Sequence, residues 1–316
     1  LPWLAGAREG PTMSRRVKLI FNPHAKRGSA YQEAHTLQAI VRRYGEAEWA
    51  STEHPMHAAD LAEEAAKQGF DVVVALGGDG TANEVINGIM RLPEGRRPLM
   101  AAVPVGSGND FASNMGVAKD PEVAMQRVFT GEPRQVDLGE VIDQAGRARY
   151  FGNILGIGFD AWVTIYSYHS EHLKGFAMYL WCVLQAIARN NAAPAFEVRT
   201  DSETFHESAL MFCICNGARE GGGFFVAPEA RPDDGIFHYM LIRQVSQLMM
   251  LRLLPEVMKG THGRFHQVRM GKLTEVELKS DRPLAIHLDG EITAGFQSDV
   301  TGLRVRILPG ALRMIT

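Results

Sequence analysis

The run Val72-Val73-Val74-Ala75-Leu76 leads straight into Gly77-Gly78-Asp79-Gly80-Thr81, and a helical pattern opening with Ala82-Asn83-Glu84 follows. Few folds accommodate such a junction. A buried strand that ends in glycines and restarts as a helix belongs at the carboxyl edge of a parallel sheet. There the glycines let the backbone approach a polyphosphate, and the helix start offers free N–H groups. The Asp79 carboxylate is placed to address a Mg²⁺ ion accompanying such a phosphate. A plain glycine turn capped by an aspartate is the alternative reading.

The surrounding pattern supports the parallel sheet. From Val17, β-branched runs alternate with amphipathic stretches: VKLIF, a helix over about 30–44, EWAST, a helix over 57–68, VVVAL, a helix near 82–90 and the strand MAAVPV. Gly45 and Gly69 fall where each of the first two helices wants a left-handed cap. After about Asp137 the texture changes to short β-type runs, among them ALMFCICN, GIFHYMLI, LAIHLDGE and LRVRIL, interrupted by helical patterns over about 172–190 and 246–259. We therefore expect an α/β layer over 14–137 and a β-rich domain over 138–316. Residues 1–13, which precede Met13 or end on it, read as a tag or loose arm.

Composition narrows the function. Lys+Arg 33 against Asp+Glu 36 gives a net charge of -3, so there is no basic field of the kind nucleic acid requires, and a nucleic-acid partner is not expected. Cys182, Cys213 and Cys215 suggest core thiols in a reducing, cytoplasmic compartment, not a disulfide frame or zinc site. The longest apolar stretch, 176–188, is short of the roughly 20 residues a membrane-spanning helix needs.

Two further loops accompany the first. Pro104-Val105-Gly106-Ser107-Gly108-Asn109-Asp110-Phe111-Ala112 follows the fourth strand, and Asn22-Pro23-His24-Ala25-Lys26-Arg27-Gly28 follows the first, bringing two cations to where phosphate charge would sit. Together with Leu288-Asp289-Gly290-Glu291, these motifs resemble the catalytic domain of diacylglycerol kinases and the related bacterial lipid kinases and sphingosine kinases, over residues 15 to 316. Gly-Gly-Asp-Gly-Thr alone would also admit NAD kinases. The sequence departs from the usual pattern at Ser107, where the family more often has Thr, and keeps a hydroxyl.

The resemblance implies an N-terminal α/β layer like that of NAD kinases and diacylglycerol kinases, a C-terminal β-sandwich, and ATP with Mg²⁺ in the cleft between them. By analogy the ATP contacts map to Asn22, Pro23, His24, Ala25, Lys26, Thr52, Gly78, Asp79, Gly80, Thr81, Ala82, Asn83, Glu84 and Ser107. Asp79 acts through the metal-nucleotide complex, and Glu291, helped by Asp289, matches the general base that activates a lipid hydroxyl. Read without the resemblance, Asp289-Gly290 is equally a hairpin turn. The loop Arg231-Pro232-Asp233-Asp234-Gly235-Ile236 resembles the family's structural Mg²⁺ loop, with Asp234 and the carbonyls of Arg231 and Ile236 as ligands; a turn without an ion is the other reading.

Other signals carry less. Gly156-Ile157-Gly158-Phe159-Asp160-Ala161 matches a dinucleotide fingerprint but lies in the β-rich half without the required strand-helix-strand unit, so we reject an NAD site there. His169 and His172 lack further metal-ligand partners. An NAD kinase and a non-catalytic nucleotide sensor remain the alternatives to a lipid kinase, and a homodimer is compatible with the resemblance. The lipid substrate implies transient residence at the inner membrane face, for which the basic stretch with Arg264, Phe265, Arg269 and Lys272 is the candidate surface.

Overall fold

The structure is a computed structural model and describes residues 15–23, 30–168, 175–189 and 193–316. The alternating pattern folds into β1 (Val17–Phe21), α1 (Ala30–Tyr44), β2 (Ala47–Ser51), α2 (His57–Lys67), β3 (Val72–Gly77), α3 (Asp79–Met90) and β4 (Leu99–Pro104). The strands pair in parallel in the order β2-β1-β3-β4. β1 and β3 are buried throughout, as strands covered on both faces must be, while edge strand β2 stays partly exposed. α4 (Asp110–Asn114) and α5 (Pro121–Thr130) complete the layer. α5 begins where the Asp120 carboxylate accepts the Glu122 N–H at 2.9 Å and Pro121 occupies a position that needs no donor. Gly69 takes the expected left-handed cap at φ 77. Gly45 does not; an added Cβ there would press on the Phe129 ring at 3.0 Å, so close packing accounts for that glycine.

The second half contains β5 (Pro133–Asp143), β6 (Ala148–Phe151), β7 (Ile154–Gly158), α6 (Phe159–Tyr168), α7 (Gly175–Arg189), β8 (Ala195–Thr200), β9 (Thr204–Cys215) and β10 (Phe237–Arg243). α8 (Gln247–Lys259), β11 (Val268–Leu273), β12 (Glu275–Ser280), β13 (Ile286–Leu288), β14 (Glu291–Ala294) and β15 (Gly302–Ile315) follow. The strands form a sandwich of two antiparallel layers, β6-β5-β15-β12-β8-β9 and β14-β13-β7-β9-β10-β11. β9 serves both, its first part pairing with β8 and its second with β7 and β10. The two-residue period of a strand then assigns the faces. Phe212, Ile214, Tyr239 and Leu241 fill the space between the layers, while Met211, Cys213, Cys215, Met240 and Ile242 face outward into a second apolar cluster covered by α6, α7 and α8. All three cysteines are buried free thiols in that outer cluster.

The two halves are interleaved. The expected division near residue 138 falls inside β5, and Met314 and Ile315 of β15 pair in parallel with Met100 and Ala101 of β4. Val136, Leu138, Leu312, Met314 and Ile315 thus belong to the core of the α/β layer. No helix among the described residues is long and apolar enough to cross a membrane.

Asp137 fastens this junction. Its buried carboxylate accepts the Gly235 and Gly310 N–H groups, both at 2.7 Å. Asp137→Ala leaves two half-buried donors without this partner, and at the lower end of about 1–3 kcal/mol for each unmet group we expect urea unfolding to report a loss of about 2–4 kcal/mol. Asp137→Asn, which retains one acceptor, is expected to lose less; equal stability of Asp137→Ala and the parent would mean the junction does not depend on this carboxylate.

Candidate active site

Every parallel strand delivers a residue or loop to one edge of the sheet. Asn22 follows β1, Thr52 follows β2, Gly78 to Thr81 follow β3, and Gly106 and Ser107 follow β4. All of these except Asp79 line one open cleft of about 420 Å³, with Glu84 on its wall and Glu291 and Tyr168 contributed by the sandwich domain. The two glycine loops touch backbone to backbone, since a Cβ on Gly106 would overlap the Gly78 Cα. Asn109, left-handed at φ 59, closes its loop by accepting the Gly106 N–H at 3.0 Å and donating to the Gly106 carbonyl at 2.9 Å. α3 starts at Asp79, so its N-terminal turn adds unsatisfied N–H groups to the same edge.

The carboxylates take up three different positions. Asp79 lies across the glycine loop in a neighbouring recess with Asp110, Glu220 and Asp289, and Ser107 borders both spaces. One Asp79 oxygen accepts the Phe111 N–H at 2.8 Å, and Asp110 accepts the Gly222 N–H at 3.1 Å. Burial, and then the Asp110 charge, push the Asp79 carboxyl up to about 7. Burial also raises Asp110, against the Gly222 N–H and the Arg219 charge. Two adjoining carboxylates that each resist ionisation form a site at which a divalent cation would relieve the repulsion.

Asp289 and Gly290 are the two central residues of the β13–β14 hairpin, at φ 52 and φ 86, with Leu288 paired to Glu291. The mirror-image turn that favours Asp-Gly is therefore present, and the turn is also part of the site. The buried Asp289 carboxylate receives four hydrogen bonds, from Asn83 Nδ2 at 2.9 Å and from the N–H groups of Gly152, Asn153 and Ile154 at 2.8, 2.8 and 2.9 Å. Burial raises its pKa and these donors oppose the rise. With its lone pairs taken by the scaffold, Asp289 is a positioning residue. Glu291 is then held over Gly80, so close that a Cβ at residue 80 would overlap Glu291 Oε1, while Oε2 accepts the Tyr168 hydroxyl at 2.9 Å. Burial pushes the Glu291 carboxyl above its usual range, Tyr168 opposes this, and the Glu84 and Asp289 charges add to it.

Several expected contacts play other parts. Ala82 packs into the core of the α/β layer. Asn83 spends its amide on Asp289 and the Tyr150 carbonyl. Glu84, although on the cleft wall, caps α2 by accepting the Met56 and Ala58 N–H groups at 2.9 and 3.0 Å. Pro23 sits in the turn after β1 but does not line the cleft. His24, Ala25 and Lys26 lie outside the described residues, as do His169 and His172. In the Arg231 to Ile236 turn, the exposed Asp234 accepts the Ile236 N–H at 3.2 Å, and Asp233 pairs with Arg134 and Arg231. Asp110 and Tyr168 were not expected. Asp110 stood inside a loop already singled out, whereas Tyr168 reaches Glu291 across 123 residues and has no local signal.

The rejected dinucleotide fingerprint has a packing explanation. A Cβ at Gly156 would overlap His287 Nε2 and Asp160 Oδ2, so this glycine makes room for a buried pair. His287 Nδ1 accepts the Gly290 N–H at 3.2 Å, so Nε2 carries the proton it donates to Asp160 Oδ2 at 2.9 Å. Burial raises the Asp160 pKa, but His287, Glu220 and Cys213 more than offset it and leave Asp160 below the ordinary range; Glu220 is pushed well up by burial and by Asp160. Among the described residues Asp160, Glu220 and His287 also have metal-like spacing. With both ring nitrogens engaged, His287 instead braces the turn that carries Glu291.

Residues 16–141 match the family model for the diacylglycerol kinase catalytic domain, and residues 153–316 match that for the YegS C-terminal NAD kinase beta sandwich-like domain. A probable lipid kinase, YegS-like, from Chromohalobacter salexigens is 31% identical over 80% of this chain and 78% of its own length. The diacylglycerol kinase of Bacillus subtilis is 28% identical over 88% of this chain and 90% of its own. A crystal structure of a diacylglycerol kinase from Bacillus anthracis superposes with a TM-score of 0.71 over 95% of this chain and 96% of its own, at 20% identity, a likeness of fold.

The Asp79 environment has a measurable consequence. A carboxyl whose pKa rises on folding keeps its proton in the native state while the unfolded chain has lost it, so stability falls as pH rises from 3.8 to about 7. Asn at this position keeps an acceptor for the Phe111 N–H and removes that penalty. Without divalent cations, Asp79→Asn is expected to raise the urea midpoint at pH 8, with the gain vanishing near pH 4; a gain independent of pH would show that Asp79 titrates normally.

Proposed function

The chain belongs to the YegS-like lipid kinases of the diacylglycerol kinase family, and from that premise we propose that it transfers the γ-phosphate of ATP to a hydroxyl of a diacylglycerol-like lipid, with Glu291 as general base. The observation carrying this reading is the seam at Gly80, where a base from the sandwich domain meets the phosphate-binding loop of the α/β layer. A nucleotide sensor needs no carboxylate held there with a raised pKa, and the family relationship favours a lipid acceptor over NAD.

The chain's own residues divide the work. Gly78, Gly80 and the first turn of α3 bind the phosphates, with Asn22, Thr52, Thr81 and Ser107 around the rest of the cleft. Asp79 and Asp110 would hold a Mg²⁺ ion, which neutralises developing phosphate charge when bound. The exposed Asp234 turn offers hard oxygen donors for a second, structural Mg²⁺. Glu291 takes the proton of the acceptor hydroxyl at Oε1, its ionised form stabilised by the Tyr168 hydroxyl. The apolar pocket under α7 and α8, lined by apolar and aromatic side chains apart from Asp160, suits an acyl chain.

Incubation with γ-labelled ATP, Mg²⁺ and a panel of hydroxyl-bearing lipids is expected to carry label into the lipid phase. Glu291→Gln is expected to lower kcat by about 10²–10⁴-fold with ATP affinity unchanged. Because the base works ionised and its pKa lies above 4.5, the rate should rise with pH through that raised value. No label in any lipid, or an unaltered kcat in Glu291→Gln, would overturn the assignment.

A further inference from the structure

α7 and α8 are apolar on both sides. Their inner faces, with Val183 and Ile187 on one helix and Met250, Leu253 and Leu254 on the other, roof the apolar pocket. Outward, α7 shows Trp181 and Leu184, 50% and 37% exposed, and α8 shows Leu248 and Leu251, 79% and 43% exposed. Each pair is spaced three residues apart, so each helix presents one stripe. The helices are joined where Gln247 Nε2 donates to the Ala188 carbonyl at 3.3 Å. Single exposed leucines are ordinary, but two stripes on adjoining helices form a patch.

Resting on the reading of the chain as a lipid kinase, we propose that the outer face of α7 and α8 is the surface by which this protein docks on a lipid bilayer. Charge supports this occupant. Residues 175–189 contain no carboxylate and one charge, Arg189. On α8 the one acidic residue, Glu256, is taken by Arg264 and Thr261, leaving Arg252 and Lys259. Arg189 rests on the Tyr166 ring at 5.3 Å and Arg252 on the Phe265 ring at 5.7 Å. Tryptophan and leucine bordered by cations is the composition of a helix lying in a membrane interface. A second copy using the same face about a two-fold axis would bring these cations toward one another.

Position supports it too. Tyr166, which carries Arg189, also meets Phe296 at 6.3 Å, and Phe296, 55% exposed, meets Trp162 at 4.7 Å. Two residues on, Tyr168 holds Glu291. The apolar surface therefore continues from α8 and α7 to the rim of the cleft, and a bilayer seated on it would present an acceptor hydroxyl beside Glu291. The basic stretch expected to do this offers less, because Arg264 pairs with Glu256 and Arg269 pairs with Glu203.

The test uses the full chain with vesicles of phosphatidylcholine and a minor fraction of phosphatidylglycerol, with and without brominated acyl chains. Brominated lipid is expected to quench tryptophan fluorescence, Trp181→Phe to remove most of that quenching, and binding to persist in high salt. The Leu248→Glu, Leu251→Glu variant is expected to partition at least about tenfold more weakly, while ATP binding and phosphorylation of a water-soluble short-chain diacylglycerol remain. Unchanged partition of this variant overturns the proposal, as does a wild-type dimer that the variant splits with no change in partition. Docking by this face without phosphorylation of any lipid would leave the surface assignment standing and sink the catalytic one; phosphorylation of the short-chain lipid without docking would do the reverse.

Discussion

The four hydrogen bonds on the Asp289 carboxylate are the constraint on which the site depends. Three come from consecutive backbone N–H groups where β6 passes into β7, and the fourth comes from Asn83 on α3. One buried carboxylate thus ties the sandwich to the helix that begins at the glycine loop. Asp289 also sits in the left-handed position that the Asp-Gly hairpin turn favours, so the anchor and the turn are the same residue. Glu291 inherits its position from that turn. His287 braces the same turn from beneath through the Gly290 N–H, and Asp160 fixes His287, so Glu291 is positioned through buried groups beneath its turn.

The site is assembled from groups whose ionisation is made difficult. Asp79, Asp110, Glu291 and Asp289 are all raised, chiefly by burial. Without a bound cation this arrangement costs stability. On the proposed reading, the same repulsion becomes binding free energy for a cation and driving force for taking up a proton, which a kinase needs on the two sides of its transferring phosphate.

Much of this was legible in the sequence, because phosphate binding makes local demands. Glycine after a buried strand and before a helix has few other uses, and the two-fold period of ALMFCICN and GIFHYMLI already separates an inner from an outer face. What stayed hidden was whether a motif residue faces the ligand or the scaffold. Ala82, Asn83 and Glu84 sit within one turn of the glycine loop and read as ligand contacts, yet one packs in the core, one holds Asp289 and one caps α2. Only the third dimension distinguishes these roles, since helix periodicity turns successive residues to different neighbours. Tyr168 was illegible for a different reason, its partner being far away in sequence. Gly156 shows the converse: a glycine pattern with a nucleotide-binding look exists to clear space for an imidazole and a carboxylate.

The return of β15 to the edge of β4 bears on how the molecule comes into being. β4 is synthesised early, but the strand that covers its free edge begins about two hundred residues later, after the entire sandwich. During translation the nascent α/β layer carries an open, apolar sheet edge for the time needed to make those residues, a state prone to pairing with the wrong strand. The sheet of the α/β layer is therefore completed only by the last strand made, which closes both halves of the molecule at once.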